Sequence, residues 1–178
     1  MAITLYGTEV LHRPTREVTD FGPELGKLVD RMFEEMYAAE GVGLAANQIG
    51  VDLQVFVLDC PDAAGRRTVA HVVNPVLELP PPPRHLDDDL EGCLSVPGQH
   101  AHVARPATAS VTGLDKSGKP VRIDGTGMLA RCLQHEYDHL QGVVFGDRLA
   151  TRQRKKLYKE AERFAEEFPP DWPVESGG

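Results

Sequence analysis

The sequence lacks several features that would place it among membrane, secreted or nucleic-acid-binding proteins. No apolar run among its 178 residues is long enough to cross a bilayer. The N-terminus has neither the basic start nor the apolar stretch of a signal peptide. Three cysteines, an odd number, argue against a framework of disulfides. We therefore expect a cytoplasmic protein, whose reducing surroundings keep thiolates free, and no membrane partner.

Positive charge is also scarce. Nineteen lysines and arginines stand against 27 aspartates and glutamates, and the net charge of −8 disfavours binding to free DNA. An apolar fraction of 41% is ordinary for a globular protein, and the length suffices for one domain with a sizeable core. We expect that domain over residues 1–168 and a disordered tail over residues 169–178.

The most informative stretch is a His-Glu-x-x-His pattern formed by His135, Glu136 and His139. Two histidines four residues apart lie on one face of a helix, about one turn from each other, so their rings can converge on one metal ion. Glu136 would then lie close to that ion, where it can take a proton from a bound water. The alternative interpretation is an amphipathic helix whose histidines only cap a core.

A catalytic metal needs a third protein ligand beside these two histidines. The extended zincin pattern puts a third histidine six residues after His139, but Phe145 occupies that position. Cys132 shares the helical face, yet its backbone lies roughly 7 Å along the axis from a metal midway between the histidines. A cysteine side chain is too short for that distance, so Cys132 is excluded.

The remaining candidates for the third ligand are Cys60 and Cys93. Cys60 ends a buried strand just before a proline, and small buried cysteines are common in cores. Cys93 follows a glycine in extended or turn backbone, and such a segment can approach a helix face. The residues favour Cys93 and leave Cys60 open.

The stretch 41–48, Gly-Val-Gly-Leu-Ala-Ala-Asn-Gln, is rich in small residues. Two glycines and two alanines suit a loop where the backbone comes close to another group. Gln48 at its end could present an amide N–H to a developing oxyanion. A tight turn between a helix and a strand is the alternative interpretation.

Apolar spacing predicts three helices and several antiparallel strands. The first helix begins at Gly22-Pro23 and ends at Gly41, the motif helix covers about 126–141 and ends before Gly142, and the last helix covers about 151–168. Strands are predicted at 55–58, 69–74, 76–79, 107–114 and 121–123, with the aspartates of 87–89 in a solvated loop. We expect an α+β fold, with antiparallel β-sheets around a buried metal-binding helix and with an N-terminal and a C-terminal helix.

Three separated stretches resemble the signature motifs of the peptide deformylase family. They are residues 41–48, the Glu-Gly-Cys-Leu-Ser of 91–95 and the Gln-His-Glu-Tyr-Asp-His of 134–139, and they occur in the family's order. Residues 7–11 are also similar, so the resemblance covers nearly the whole chain. It implies a single catalytic domain that removes the N-formyl group from the N-terminal methionine of newly made polypeptides and releases formate.

The resemblance also implies a role for each matched residue. Three residues would bind one divalent metal ion with a water in the fourth position: Cys93, His135 and His139. The ion is usually Fe²⁺ in the family, and Zn²⁺, Ni²⁺ or Co²⁺ can replace it. Glu136 would act as general base and then as general acid, and the Gln48 amide with the Leu94 backbone N–H would hold the oxyanion.

The remaining matched residues concern the substrate. The Gly43 backbone would pair with the peptide, Leu94 would also contact it, and the pocket for the methionine side chain would be lined by Val42, Met128 and Cys132. Two positions depart from the family pattern: His100 replaces a frequent arginine, and Arg131 replaces a frequent apolar residue. These departures leave the peptide preference beyond methionine open.

Two further expectations concern charged residues. Asp138 is predicted to act behind the ligand His139, with Arg105 as its partner. The segment 148–163 carries seven lysines and arginines against two glutamates. In the family the C-terminal helix can dock on the ribosome, which the resemblance therefore implies here. A solvated helix face is the alternative.

Two competing functions remain at this point. A zinc peptidase shares the helix motif and would act on unformylated peptides. The second alternative is a folded protein that binds metal but has no catalytic activity. Such a protein would have no need to keep Glu136, Gln48 and three metal ligands together.

Overall fold

The computed structural model of the protein describes residues 3–165. Its helices are α1 (Pro23–Ala38), α2 (Gly127–Leu140) and α3 (Thr151–Ala165), with short 3-10 helices at Glu9–Leu11, Ala46–Ile49 and Phe145–Arg148. Its strands are β1 (Gly43–Ala45), β2 (Val55–Pro61), β3 (Arg67–Glu78), β4 (Leu86–Cys93), β5 (Val96–Pro106), β6 (Thr108–Leu114) and β7 (Pro120–Thr126). The expected α+β fold is confirmed. The predicted end of the last helix at 168 and the tail 169–178 lie outside the described residues.

The strands form two antiparallel sheets. The larger sheet has the order β1-β2-β3-β6-β7, so β1 lies at its edge. The smaller sheet is the β4–β5 hairpin, which joins at the Leu94–Ser95 turn. The strands predicted around 107–114 and 121–123 are confirmed, and they pair with each other as the β6–β7 ladder.

Helices α1 and α2 lie on opposite faces of the larger sheet. Side chains alternate along β2, so Val55 and Val57 pack with α1 while Phe56 and Leu58 pack with α2. The methionines of α1, Met32 and Met36, are fully buried core residues. A strand buried on both faces explains why the 55–58 run is continuously apolar.

The motif helix α2 is buried on nearly all sides, with ten of its 14 residues shielded from solvent. Its predicted stop at Gly142 is confirmed, because that residue has a φ of 76° in the left-handed region. A Cβ at this position would lie 2.5 Å from the Arg13 backbone nitrogen, so a larger residue does not fit. The end of the helix is therefore set by a tight approach of Gly142 to the backbone of the N-terminal segment.

Two strand predictions were wrong in detail. Residues 69–78 belong to one strand, because Asn74 and Pro75 make a bulge after which pairing with β6 resumes at Val76, and Leu79 lies beyond its end. The aspartates of 87–89 lie in β4, paired with Val103–Arg105 of β5, and not in a loop. Asp88 and Asp89 are exposed and Asp87 is half-buried, so these side chains remain largely solvated within the strand.

Helix α3 packs against β5 through a third apolar cluster, in which Leu157, Tyr158 and Ala161 meet Val96 and Val103. The Tyr158 ring stacks on Tyr6 with a centroid distance of 3.6 Å. Among the helices of residues 3–165, none combines the length and the apolar composition that a bilayer crossing requires.

Candidate metal centre

Three metal-ligating side chains converge at one point. The His139 Nε2 atom lies 3.1 Å from the Cys93 Sγ and 3.2 Å from the His135 Nε2. The donor atoms of all three side chains lie within 4.8 Å of one another. Helix α2 supplies both histidines one turn apart, and the end of β4 supplies the cysteine. A thiolate and two imidazoles are donors that suit one divalent ion, and three protein ligands are the number that catalytic metal sites use.

The sequence left Cys60 and Cys93 as candidates for the third ligand, and the structure brings Cys93 to the histidines. Cys60 lies in the apolar cluster between the larger sheet and α2, beside Cys132. The Cys132 thiol lies 3.7 Å from the carbonyl oxygen of Val42 and donates to it. All three cysteines are free. Cys60 and Cys132 therefore belong to the core and the cleft wall.

The histidines differ in electrostatic environment. Burial, reinforced by the neighbouring His135, holds the pKa of His139 well below its usual value. Burial also acts to lower the pKa of His135, but hydrogen bonds to Cys93 and Glu91 raise it well above its usual value. The Nδ1 of His139 is buried without a hydrogen-bond partner among the described residues. A neutral His139 ring is the form that a metal requires.

Glu91 orients the ligand His135, a role that the sequence did not indicate. Its Oε1 atom accepts hydrogen bonds from His135 Nδ1 at 2.7 Å and from Arg105 at 2.6 Å. Burial raises the pKa of Glu91, yet the bonds from Arg105 and His135 hold it well below its usual value. An ionised Glu91 fixes the His135 ring with Nε2 turned to the site. Glu91 and Cys93 are two residues apart on β4, and residues at that spacing share a face of a strand. This spacing was a usable signal that Glu91 lies near the ligands.

The predicted pairing of Arg105 with Asp138 is confirmed. Arg105 is 2% exposed and donates to Asp138 at 3.0 Å as well as to Glu91. Arg148 also pairs with Asp138, a contact that the sequence did not indicate. The carboxylates behind the ligands are therefore matched by guanidinium groups, of which that of Arg105 is buried and that of Arg148 is partly exposed.

Glu136 is buried next to the ligands and lines the cleft. Burial raises its pKa to about 7, although the charge of His135 opposes the shift. Its Oε2 atom has no hydrogen-bond partner among residues 3–165. A carboxyl group with a free oxygen and a pKa near neutrality can both accept and return a proton.

Gln48 is held with its amide turned toward the site. Its Oε1 accepts the Ala45 backbone N–H at 2.9 Å, which orients the side chain. Its Nε2 lies 3.2 Å from the Ser95 Oγ and 3.5 Å from the Cys93 Sγ. Leu94 lies in the adjacent turn and also lines the cleft.

A cleft of about 570 Å³ opens over these residues. The residues that the sequence assigned to substrate all line it: Val42, Gly43, Leu94, Met128 and Cys132. Gly43 has no room for a side chain, because a Cβ would lie 2.8 Å from the Cys132 Sγ and closer still to Glu136. His100 and Arg131 also line the cleft, so both departures from the family pattern lie at the site.

Known proteins resemble this chain over nearly its full length. The family model described as polypeptide deformylase matches residues 1–155. Peptide deformylase 1 of Streptomyces avermitilis is 55% identical over 173 residues, which cover 97% of this chain and 78% of that protein. The peptide deformylase of Mycolicibacterium paratuberculosis is 51% identical over 160 residues, 84% of this chain and 81% of that protein.

Solved structures share the fold as well. A peptide deformylase from Legionella pneumophila superposes with a TM-score of 0.80 at 38% identity, covering 92% of this chain and 94% of that chain. The peptide deformylase of Ehrlichia chaffeensis gives a TM-score of 0.83 at 32% identity, covering 93% and 96%. The sequence match, the shared fold and the converging cysteine and histidines lead to one conclusion: the chain belongs to the polypeptide deformylase family.

Proposed function

We propose that this protein removes the N-formyl group from the N-terminal methionine of newly made polypeptides and releases formate. The observation that carries the proposal is the convergence of Cys93, His135 and His139 beside Glu136 in one cleft. Family membership supports the same reaction. Because nascent polypeptides are made in the cytoplasm and the cysteines are free thiols, we place the protein there.

The proposed cofactor is one divalent ion held by the cysteine and the two histidines. We propose Fe²⁺, with Zn²⁺, Ni²⁺ and Co²⁺ as ions that the same donors accept. When bound, the ion polarises the formyl oxygen and lowers the pKa of a water to about 7, which supplies a nucleophile at neutral pH.

The chain's own residues carry the remaining steps. A formyl amide is stabilised by resonance and has a poor leaving group, so its nitrogen must receive a proton as the bond breaks. Glu136, buried with a free oxygen, takes a proton from the attacking water and returns it to that nitrogen. The Gln48 amide and the Leu94 backbone N–H stabilise the oxyanion, and each such donor contributes about 3 kcal/mol.

The substrate peptide is proposed to extend the larger sheet. Strand β1 lies at the sheet edge beside the cleft, so the Gly43 backbone can pair with an extended peptide. The methionine side chain then lies among Val42, Met128 and Cys132. Val42 and Met128 are about half exposed, which leaves apolar surface for a ligand to cover.

The direct test is formate release by protein purified without oxygen. We expect turnover of a formyl-methionyl tripeptide, and none of the same peptide with an acetyl group or a free amine. The acetyl peptide differs from the formyl peptide by one methyl group, so it tests whether the site selects the smallest acyl group. Cleavage of the unformylated peptide without formate release would instead identify a peptidase.

We also propose that α3 contacts the ribosome. Lys155 and Lys156 are exposed on this helix, and the segment 148–163 is basic in an acidic protein. Reversing both to glutamate should weaken co-sedimentation with ribosomes at least tenfold at low salt, because phosphate contacts are lost. The matched control reverses Lys27 and Lys119, which are exposed on other parts of the surface. This control has the same net charge as the Lys155 and Lys156 variant. Equal loss in both double variants would reject a local contact.

A further inference from the structure

Arg131 makes contacts that none of the roles above uses. It lies on α2, one turn before His135, and its side chain is only 11% exposed. Its guanidinium donates to the Glu91 Oε2 at 2.9 Å. It also donates to the backbone carbonyls of Val103 at 2.7 Å and Asp87 at 2.8 Å.

These contacts join two elements that no strand ladder connects. Among the described residues, the β4–β5 hairpin is a separate two-stranded sheet, and its β4 strand ends in the ligand Cys93. The other two ligands lie on α2. Arg131 bonds to one carbonyl on each strand of the hairpin, so a single side chain from α2 holds both strands.

The contact of Arg131 with Glu91 acts on the ligand His135. Each Glu91 oxygen accepts two hydrogen bonds: Oε1 from His135 and Arg105, and Oε2 from Arg105 and Arg131. Arg105 itself lies on β5, within the same hairpin as Glu91. Arg105 also reaches α2, through Asp138, so both arginines connect this carboxylate to the helix carrying His135, and Arg131 is the one that lies on that helix.

We propose that Arg131 is a positioning residue that holds the Cys93 sulfur and the His135 ring in the relative positions that metal binding requires. A planar guanidinium has five donors in a fixed fork, which lets one side chain meet a carboxylate and two carbonyls at once. An apolar residue at this position would leave these acceptors without that donor. The inference rests on the proposed metal site, and it concerns how tightly that site keeps its ion.

The test compares rates of metal release to excess chelator from Zn²⁺-loaded full-length protein. Arg131→Gln and Arg131→Met should release the ion about tenfold to a hundredfold faster than the parent, because losing a hydrogen-bond partner of a metal ligand typically lowers metal affinity by that factor. Arg131→Lys, whose ammonium cannot reproduce the fork, should be intermediate. The matched control is Arg122→Gln, which removes a surface arginine paired with Glu78 and Asp124 and should change nothing.

A spectroscopic readout separates positioning from general destabilisation. In the Co²⁺-loaded protein, the thiolate charge-transfer band should weaken or shift in Arg131→Gln and stay unchanged in Arg122→Gln. If Arg131→Gln does not fold, the release rate of Arg131→Lys decides. Release within twofold of the parent in every folded Arg131 variant would overturn the inference, as would a raised KM with unchanged release. Failure of the parent to bind metal would instead overturn the proposed function.

Discussion

Replacing Glu136 with glutamine should lower kcat for formate release about a thousandfold while one metal ion per chain remains bound. General acid–base catalysis contributes about 10²- to 10⁴-fold, and Glu136 is proposed to serve both proton transfers. Glutamine has nearly the same shape but cannot exchange a proton in this way. Because Glu136 is not one of the three converging donors, its loss should leave the metal content unchanged.

The experiment needs kcat and metal content from the same preparation. Glu78→Gln is the matched control, since it removes a carboxylate from the half-exposed surface of β3 and should keep full activity. Stability should not fall in Glu136→Gln, because its Oε2 makes no hydrogen bond that glutamine would lose. Activity within tenfold of the parent would show that another group moves the proton.

Replacing His139 with alanine should reduce bound metal below about a tenth of one equivalent and reduce formate release to background. His139 is fully buried, and its Nε2 is the atom that lies near both other donors. A cysteine and one histidine do not complete a catalytic site, which needs three protein ligands. Metal should also stop raising the melting temperature, because an ion stabilises a protein only by binding its folded state.

Two comparisons make the His139 result specific. His102→Ala removes an exposed histidine of β5 and should keep one ion per chain and full activity. The metal-free parent and metal-free His139→Ala should both show a cooperative unfolding transition, which excludes simple loss of fold. Full metal occupancy in His139→Ala would contradict the assignment of the ligands.

Local patterns in the sequence predict much of the fold and the centre of the site. The 3.6-residue spacing of apolar residues places α2, and the four-residue spacing of His135 and His139 then follows from helix geometry. Local periodicity of apolar residues also predicts the buried face of α1 and the two strands β6 and β7. These features depend on neighbours within about one turn of helix or one strand, so sequence spacing suffices to find them.

Contacts between distant segments could not be predicted in the same way. Glu91 and His135 are 44 positions apart, and nothing local indicates that this acid, and not Asp138, meets the His135 Nδ1. The choice between Cys60 and Cys93 stayed open for the same reason. The strand character of 87–89 was missed because three aspartates disfavour strands, while pairing with β5 overrides that preference.

The central claim is that one ion held by Cys93, His135 and His139 makes the protein a deformylase. Its most direct test is to titrate metal-free protein with Fe²⁺ without oxygen and to follow formate release from a formyl-methionyl peptide. Activity should rise linearly and stop rising at one ion per chain. Formate release by the metal-free protein at the full rate, or no release at any metal concentration, would contradict the claim.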